Sequence, residues 1–382
     1  MHVILITNYP PDRQESMRRF GELLSSGLRE EGIDVTEWQP RALFLRGANR
    51  HAGWTKLLAY ADKYLAFPLW LRRQRVPEGS IVHICDHANA VYGRHIRAAE
   101  YLVTCHDLFA IRRARGAVPG EKTPWTGRIQ QRWIANALRR APCIVAVSES
   151  TRQDLLVHGG RRDEASVSVV PNALDPFWNP MPDSEADPLV RRAGIPSGAE
   201  YILHVGNNNW YKNRTGAVRI YTRYRDEAAR RGERPAELIL AGAEPDAALA
   251  GAIGASGARD FIHTVSRPDD ATIRALYSRA TAFLFPSLTE GFGWPPLEAQ
   301  ACACPVVASR GGSLPEVLGD SALTADAGDE AALAAHLLRV VSDQAERARW
   351  VTAGKRNAAR YSVADMVEGY CAVYDAMLSG GA

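Results

Sequence analysis

Two carboxylates, Glu290 and Glu298, close the segment Glu290-Gly-Phe-Gly-Trp-Pro-Pro-Leu-Glu298. An apolar run, Ala282-Phe-Leu-Phe-Pro286, precedes it and reads as a buried strand. After the prolines, Leu297-Glu-Ala-Gln-Ala301 reads as the start of a helix, because proline suits a first helical turn. Glu290 is therefore expected on a loop at a strand's C-terminal end, and Glu298 in the first turn of the next helix. Gly291 and Gly293 let backbone N–H groups come close to a ligand. A helix N-terminus attracts an anion. Donors for a phosphate beside carboxylates for hydroxyls suit a sugar joined to a diphosphate.

The stretch Phe285-Pro-Ser-Leu-Thr-Glu-Gly-Phe-Gly-Trp-Pro-Pro-Leu-Glu-Ala299 resembles the signature of the retaining glycosyltransferases of family 4, which have the GT-B fold. It holds that family's E-x7-E pattern as Glu290 and Glu298. The resemblance implies that Glu290 binds donor-sugar hydroxyls and steadies a cationic transition state. It implies that Gly291, Phe292 and Gly293 give backbone contacts and that Glu298 accepts from ribose hydroxyls. A glycosidase acid/base pair is a poor reading, since that role needs facing carboxyls at a set gap.

Three further clusters follow apolar runs. Gly206-Asn-Asn-Asn-Trp-Tyr-Lys-Asn-Arg214 comes after Tyr201–Val205. Gly206 permits a tight turn, and Lys212 carries a positive charge suited to a diphosphate. The family has a comparable glycine with a lysine six positions on. Asn207 stands where many members have arginine, Asn213 flanks the lysine, and Arg214 lies in a different register. The second cluster, Cys105-His-Asp107, resembles the family's His-Asp pair. By that resemblance His106 meets the donor sugar and Asp107 orients the ring or its loop. The third, Asn8-Tyr-Pro-Pro-Asp-Arg-Gln-Glu-Ser-Met17, lacks the Gly-Gly of many relatives, so Asp12, Arg13 and Ser16 are acceptor-side candidates. Arg310-Gly-Gly-Ser-Leu-Pro-Glu-Val317 reads as architectural, a turn and then a short helix. With no Asp-x-Asp to hold a divalent ion, the expectation is no metal and no cofactor. The leaving phosphate would rest on Lys212, backbone N–H groups and a helix N-terminus.

These residues need a scaffold that places strand ends together. Strands are expected at Val3–Thr7, Ile81–Cys85, Tyr101–Cys105, Cys143–Ser148 and Ser166–Val170. A second series runs Tyr201–Val205, Glu237–Ala241, Phe261–Val265, Thr281–Phe285 and Pro305–Ser309. Helical periodicity lies between them, as in Met17–Glu30, Ile129–Arg140, Asn213–Arg230 and Thr272–Ala280. That alternation predicts an α/β protein with two Rossmann-like, doubly wound parallel-sheet domains. Ligands of such sheets bind at the carboxyl ends of strands, and a cleft between two domains is the natural site. A chain of 382 residues agrees with two domains. The expected bounds are 1–172 on the acceptor side, 173–360 for the nucleotide sugar, and 361–382 as a helix crossing back. Val170-Pro-Asn-Ala-Leu-Asp175 is similar to the family's linker, with Ala173 for the usual glycine.

Charged residues make up 23% and apolar ones 46%, which fits a folded globular chain. No apolar run reaches the roughly 18–20 residues that span a bilayer. Met1-His-Val-Ile-Leu-Ile-Thr7 reads as a first strand, not a signal peptide. The six cysteines are scattered, and Cys302-Ala-Cys304 is poor zinc spacing, so reduced thiols in a cytoplasmic protein are expected. Residues 1–173 carry 25 Lys and Arg against 17 Asp and Glu. That excess suggests an anionic partner, either a phospholipid surface or a pyrophosphate-linked acceptor. No nucleic-acid motif is present. The stretch His51–Val76 interleaves aromatics with Lys56, Lys63, Arg72, Arg73 and Arg75, and reads either as a core-packed helix or as one lying on an anionic membrane.

The function these readings imply is transfer of a hexose from a nucleotide-diphosphate sugar, GDP-mannose or a UDP-sugar, to a hydroxyl of a glycan or lipid-linked acceptor. The resemblance of the His-Asp pair and of Lys212-Asn213 to mannosyltransferase-like members tilts the donor toward GDP-mannose. A nucleotide-sugar epimerase of the same fold would act without an acceptor. A non-catalytic nucleotide-sugar-binding subunit would not need Glu290.

Overall fold

The computed structural model describes residues 1–45, 54–97, 101–118, 120–160, 166–196 and 198–380. The chain forms two compact units, Met1–Asp175 with Ser362–Ala382, and Pro176–Tyr361.

The first unit contains the strands β1 (His2–Ile6), β2 (Asp34–Trp38), β3 (Ser80–Ile84), β4 (Tyr101–Cys105), β5 (Cys143–Ala146) and β6 (Val167–Val169). They form one sheet in the order β2-β1-β3-β4-β5-β6, and each pairing is parallel. The second unit contains β7 (Tyr201–Gly206), β8 (Glu237–Gly242), β9 (Ile262–Ser266), β10 (Ala282–Phe285), β11 (Val306–Ser309) and β12 (Leu323–Ala325). Their order is β12-β11-β10-β7-β8-β9, again all parallel. Helices link successive strands, as parallel pairing requires.

Burial explains the strand sequences. A parallel sheet covered on both faces needs nearly continuous apolar runs. Ala282-Phe-Leu-Phe285 and Val306-Val-Ala-Ser309 are buried at every position. The helix Glu15–Glu30 buries Phe20, Leu24 and Leu28, spaced four apart on one face. The helix Arg214–Arg230 buries Ala217, Tyr221, Tyr224 and Ala228 in the same manner.

Two strands lie outside the sequence expectation. Both β2 and β12 are edge strands. In β2 only Val35 is buried, and β12 is three residues long, so neither leaves an apolar run to read. The segment expected as one helix over 51–76 also differs. Residues 51–53 lie outside the described residues. The helical run starts at Thr55, passes through a π turn at Asp62–Ala66 and ends at Leu71. Asp62 is buried there, accepting from the N–H groups of Leu43, Phe44 and Leu45 at 3.0, 2.8 and 3.2 Å and from Tyr9 Oη at 2.7 Å. Turning one carboxylate inward fits the extra residue of a π turn. Phe67, Pro68 and Leu71 pack inward, whereas Trp54, Leu57, Tyr60, Leu65, Leu69 and Trp70 are exposed.

The helix Val363–Leu378 belongs to the first unit. Ser362 caps it by accepting from Asp365 N at 3.0 Å. Its buried stripe includes Tyr370 and Tyr374. Tyr374 Oη lies 2.8 Å from His83 Nδ1, and Tyr370 Oη lies 2.8 Å from Thr104 Oγ1. His83 Nε2 completes the chain at 2.7 Å from Thr104 Oγ1. Gly27 admits this helix, since a Cβ there would lie 2.6 Å from Val367.

Candidate functional site

Where the strand order reverses in a doubly wound sheet, neighbouring loops splay apart and leave room for a ligand. In the second unit this point lies between β7 and β10. The loops leaving those two strands hold Gly206 to Asn213 and Pro286 to Gly293. Lys212 Nζ donates to Glu290 Oε1 at 2.8 Å, directly across the reversal. Both side chains are nearly shielded, at 12% and 8% exposure. The ammonium also stands 5.0 Å from the Phe285 ring centre and 5.3 Å from that of Tyr211, near enough for cation–π attraction.

Local chemistry fixes each partner. Lys212 ends a single 3-10 turn, Trp210–Lys212, and Asn213 then takes the left-handed region at φ 50° before the helix starts at Arg214. Asn213 tolerates that backbone and anchors it, donating Nδ2 to the Pro286 carbonyl at 3.0 Å. Gly206 ends β7 beside Gly242, where a Cβ would lie 2.2 Å from the Gly206 carbonyl oxygen. Asn207 is exposed, and its Oδ1 accepts from Asn209 N at 3.0 Å, tightening the turn.

The Glu290 loop is gripped from behind by Gly311-Gly-Ser313. Ser313 N and Oγ donate to the Glu290 carbonyl at 3.0 and 3.1 Å, and Ser313 Oγ reaches the Phe292 carbonyl at 2.7 Å. Gly312 sits at φ +63°, and a Cβ there would lie 2.3 Å from the Glu290 carbonyl oxygen. This grip is the part played by the Arg310–Val317 stretch. Gly291, Phe292 and Gly293 are buried; Phe292 packs edge-on against Trp294 and Tyr361.

The helix after this loop starts at Trp294, not at Leu297. Its N-cap is Gly293, at φ 108°, and the prolines lie inside the first turn. Glu298 therefore falls beyond the first turn, and two of the early helix positions, Pro295 and Pro296, carry no N–H. Glu298 is 6% exposed and accepts from Tyr277 Oη at 3.3 Å.

The first unit repeats the arrangement with other residues. Its order reverses between β1 and β3. Asn8, after β1, donates Nδ2 to Asp86 Oδ2, after β3, at 2.5 Å. Asp86 is 2% exposed and also accepts from Ala88 N at 2.9 Å, with His87 Nδ1 at 3.2 Å. Despite burial its carboxyl is held below the usual range by His87, His106 and these hydrogen bonds. Asp86 is not among the residues expected from the sequence. The signal was there, since Cys85-Asp-His87 ends one strand much as Cys105-His-Asp107 ends the next.

His106 is buried, with Nε2 donating to the Cys85 carbonyl at 2.9 Å and the ring edge-on to Phe20 at 4.7 Å. Burial lowers its basicity. A carbonyl only accepts, so the neutral ring carries its proton on Nε2. Asp107 engages its own loop: its Oδ1 accepts from Phe109 N at 3.0 Å, at the start of the next helix. Asp12, Arg13 and Ser16 are exposed. Asp12 pairs with Lys63 at 2.8 Å, and Arg13 takes φ 52°.

Among the described residues no helix is long and apolar enough to cross a membrane, and the six cysteines are free thiols.

Paired six-stranded parallel sheets with polar loops at their reversals define the GT-B class of glycosyltransferase, and solved structures of that class match this fold. Two family descriptions match the chain: "Glycosyl transferases group 1" over residues 187–357 and "Glycosyltransferase Family 4" over residues 18–177. Alpha-maltose-1-phosphate synthase of Mycobacterium tuberculosis is 30% identical over 299 residues, covering 72% of this chain and 73% of that one. O-antigen chain mannosyltransferase B of Escherichia coli is 29% identical over 238 residues, covering 62% of this chain and 61% of that one. Anabaena HepE, solved in complex with UDP and glucose, matches with a TM-score of 0.72 at 14% identity, over 98% of this chain and 100% of that one. The chain belongs to the group 1 glycosyltransferases that carry a family 4 N-terminal domain.

Proposed function

We propose that this glycosyltransferase moves a hexose, with retention of configuration, from a nucleotide-diphosphate sugar to a hydroxyl of a glycan or lipid-linked acceptor. The observation that carries this reading is the shielded Lys212–Glu290 pair at the strand reversal of the second unit. A donor diphosphate competes for the Lys212 ammonium. When it arrives, Lys212 turns from carboxylate to phosphate, and Glu290 is left to accept from sugar hydroxyls and to face the oxocarbenium-like centre. Lys212 and loop N–H groups then carry the leaving charge, with no role given to a metal. Glu298 takes the ribose hydroxyls, and Gly206, Asn207, Asn213, Gly291, Phe292 and Gly293 shape the donor seat. In the first unit, His106 is assigned to a sugar hydroxyl. The leaving phosphate helps deprotonate the incoming hydroxyl on the same face of the sugar.

The relative named as an O-antigen chain mannosyltransferase supports mannose and a role in surface-polysaccharide synthesis. The UDP held by the HepE structure supports a nucleotide donor in general and leaves a UDP-sugar as the other choice. The setting is cytoplasmic, at the inner membrane face.

Release of nucleoside diphosphate from GDP-mannose and UDP-sugars, with a chelator present, tests the reading. Glu290→Gln is expected to slow release by about a hundredfold or more. Conversion of the sugar without nucleotide release would make the protein an epimerase instead.

A further inference from the structure

The helix Trp125–Arg140 holds four arginines and no carboxylate: Arg128, Arg132, Arg139 and Arg140 are exposed with Trp125 and Ile129, and a further exposed cation, Arg115, lies on the neighbouring turn. Trp125 is 72% exposed and Ile129 60%. At helical spacing, positions 125, 128, 129 and 132 share one stripe. A cavity of about 300 Å³ opens between this helix and Phe109–Ala114, lined by Arg115, Arg128, Arg132, Gln131, Asn136 and buried Ile111. Among the described residues no ion pair engages Arg115, Arg128 or Arg132. The carboxylates of Glu121 and Asp154 are taken by Arg113 and Arg112, at 3.7 and 3.0 Å. Next to the stripe, Gln130 Nε2 donates to Tyr64 Oη at 2.9 Å, and Tyr64 lies 5.2 Å from the Trp133 ring. Those contacts join the helix to the run holding exposed Leu57, Tyr60 and Leu65 with Lys56.

We infer that this face docks on an anionic phospholipid bilayer. Guanidinium groups with no carboxylate partner around a cavity suit a headgroup phosphate; Arg128 Nε donates to the Thr123 carbonyl at 3.2 Å, which leaves its terminal N–H groups to meet one. Exposed tryptophan beside isoleucine suits the layer just beneath the headgroups. The exposed cations draw the face to negative lipid, and no carboxylate on the helix opposes them. Vesicle binding needs no sugar donor, so this inference and the transfer reading fail separately.

The test is sedimentation of the full chain with vesicles of phosphatidylcholine and phosphatidylglycerol in equal parts, against phosphatidylcholine alone. Binding to the anionic vesicles at low salt, weakened by salt, is expected. Arg128→Glu with Arg132→Glu should cut it at least about tenfold, with the thermal midpoint unchanged because both side chains are exposed. Ile129→Cys carrying an environment-sensitive dye supplies a readout without charge reversal, and its emission should shift to the blue on anionic vesicles only. Equal binding to neutral vesicles, full binding by the charge-reversed protein, or an unshifted dye overturns the inference. So does displacement by inorganic phosphate at matched ionic strength, which would make the cavity a soluble-anion site. Preference for a single-stranded oligonucleotide over vesicles would overturn it as well.

Discussion

Lys212 and Glu290 are 78 residues apart in sequence, yet their charged groups meet at 2.8 Å across the one point where the second sheet reverses its strand order. With both side chains nearly shielded, removing one leaves the other charged and without its partner. Lys212→Ala should destabilise the second unit by about 3 kcal/mol, and Lys212→Ala with Glu290→Ala should recover part of that. Urea unfolding of the two single variants and the double variant measures the coupling.

Gly312 gives a test of the support behind Glu290. A Cβ at this position would press on the Glu290 carbonyl oxygen at 2.3 Å, from a backbone already at φ +63°. Gly312→Ala should cost roughly 2–3 kcal/mol and weaken donor binding. Gly232→Ala is the control: φ is +73°, but nothing lies within 4 Å, so only backbone strain of about 1 kcal/mol is expected. Thermal unfolding with a nucleotide titration separates the two.

Buried histidines set the acid response. Burial lowers His83 to about 3 and His204 to about 4, from an ordinary value of 6.5. The unfolded chain takes up these protons first, so their contribution is whole above pH 6.5 and declines below it. The loss is roughly 1.4 kcal/mol per pH unit for each, until the folded value is reached. His83 lies in the first unit and His204 in the second, so both should weaken. Unfolding midpoints from pH 7 down to pH 4.5 check this; a flat profile would mean that these rings are not buried as described.

The terminal helix is tied to the first sheet by hydroxyl groups. Tyr374→Phe strips His83 Nδ1 of its partner at a fully buried position, and should cost about 1–3 kcal/mol. Tyr370→Phe removes one of the two partners of Thr104 Oγ1, which keeps His83 Nε2 at 2.7 Å, and should cost less. Hydrogen exchange in β3 and β4 should rise in both variants.

How much of this could be read from the sequence depended on burial. Strands packed on both faces, such as Phe283 to Phe285, announce themselves as apolar runs. The edge strands Asp34–Trp38 and Leu323–Ala325 bury too little to do so. Pro295 and Pro296 were legible as helix-start residues, but Trp294 already belongs to the helix, which puts Glu298 later than expected. Lys212 and Glu290 were both legible as candidates. Their pairing was not, because it follows from strand order, which no local pattern encodes. Asp86 was hidden for the same reason: its partner Asn8 is brought to it only by the neighbouring of β1 and β3.

The proposed transfer requires the second unit to seat the nucleoside diphosphate of a donor at Lys212 and Glu298. The direct measurement is the thermal midpoint of the protein with GDP, UDP, ADP and dTDP and their sugars, with a chelator present. One nucleotide should raise the midpoint, by about 2.7 kcal/mol of stabilisation at a hundred times its dissociation constant, and Lys212→Ala and Glu298→Ala should each abolish the rise. If no nucleotide moves the midpoint even at millimolar concentration, or if both variants respond like the parent, the donor site is not where Lys212, Glu290 and Glu298 stand.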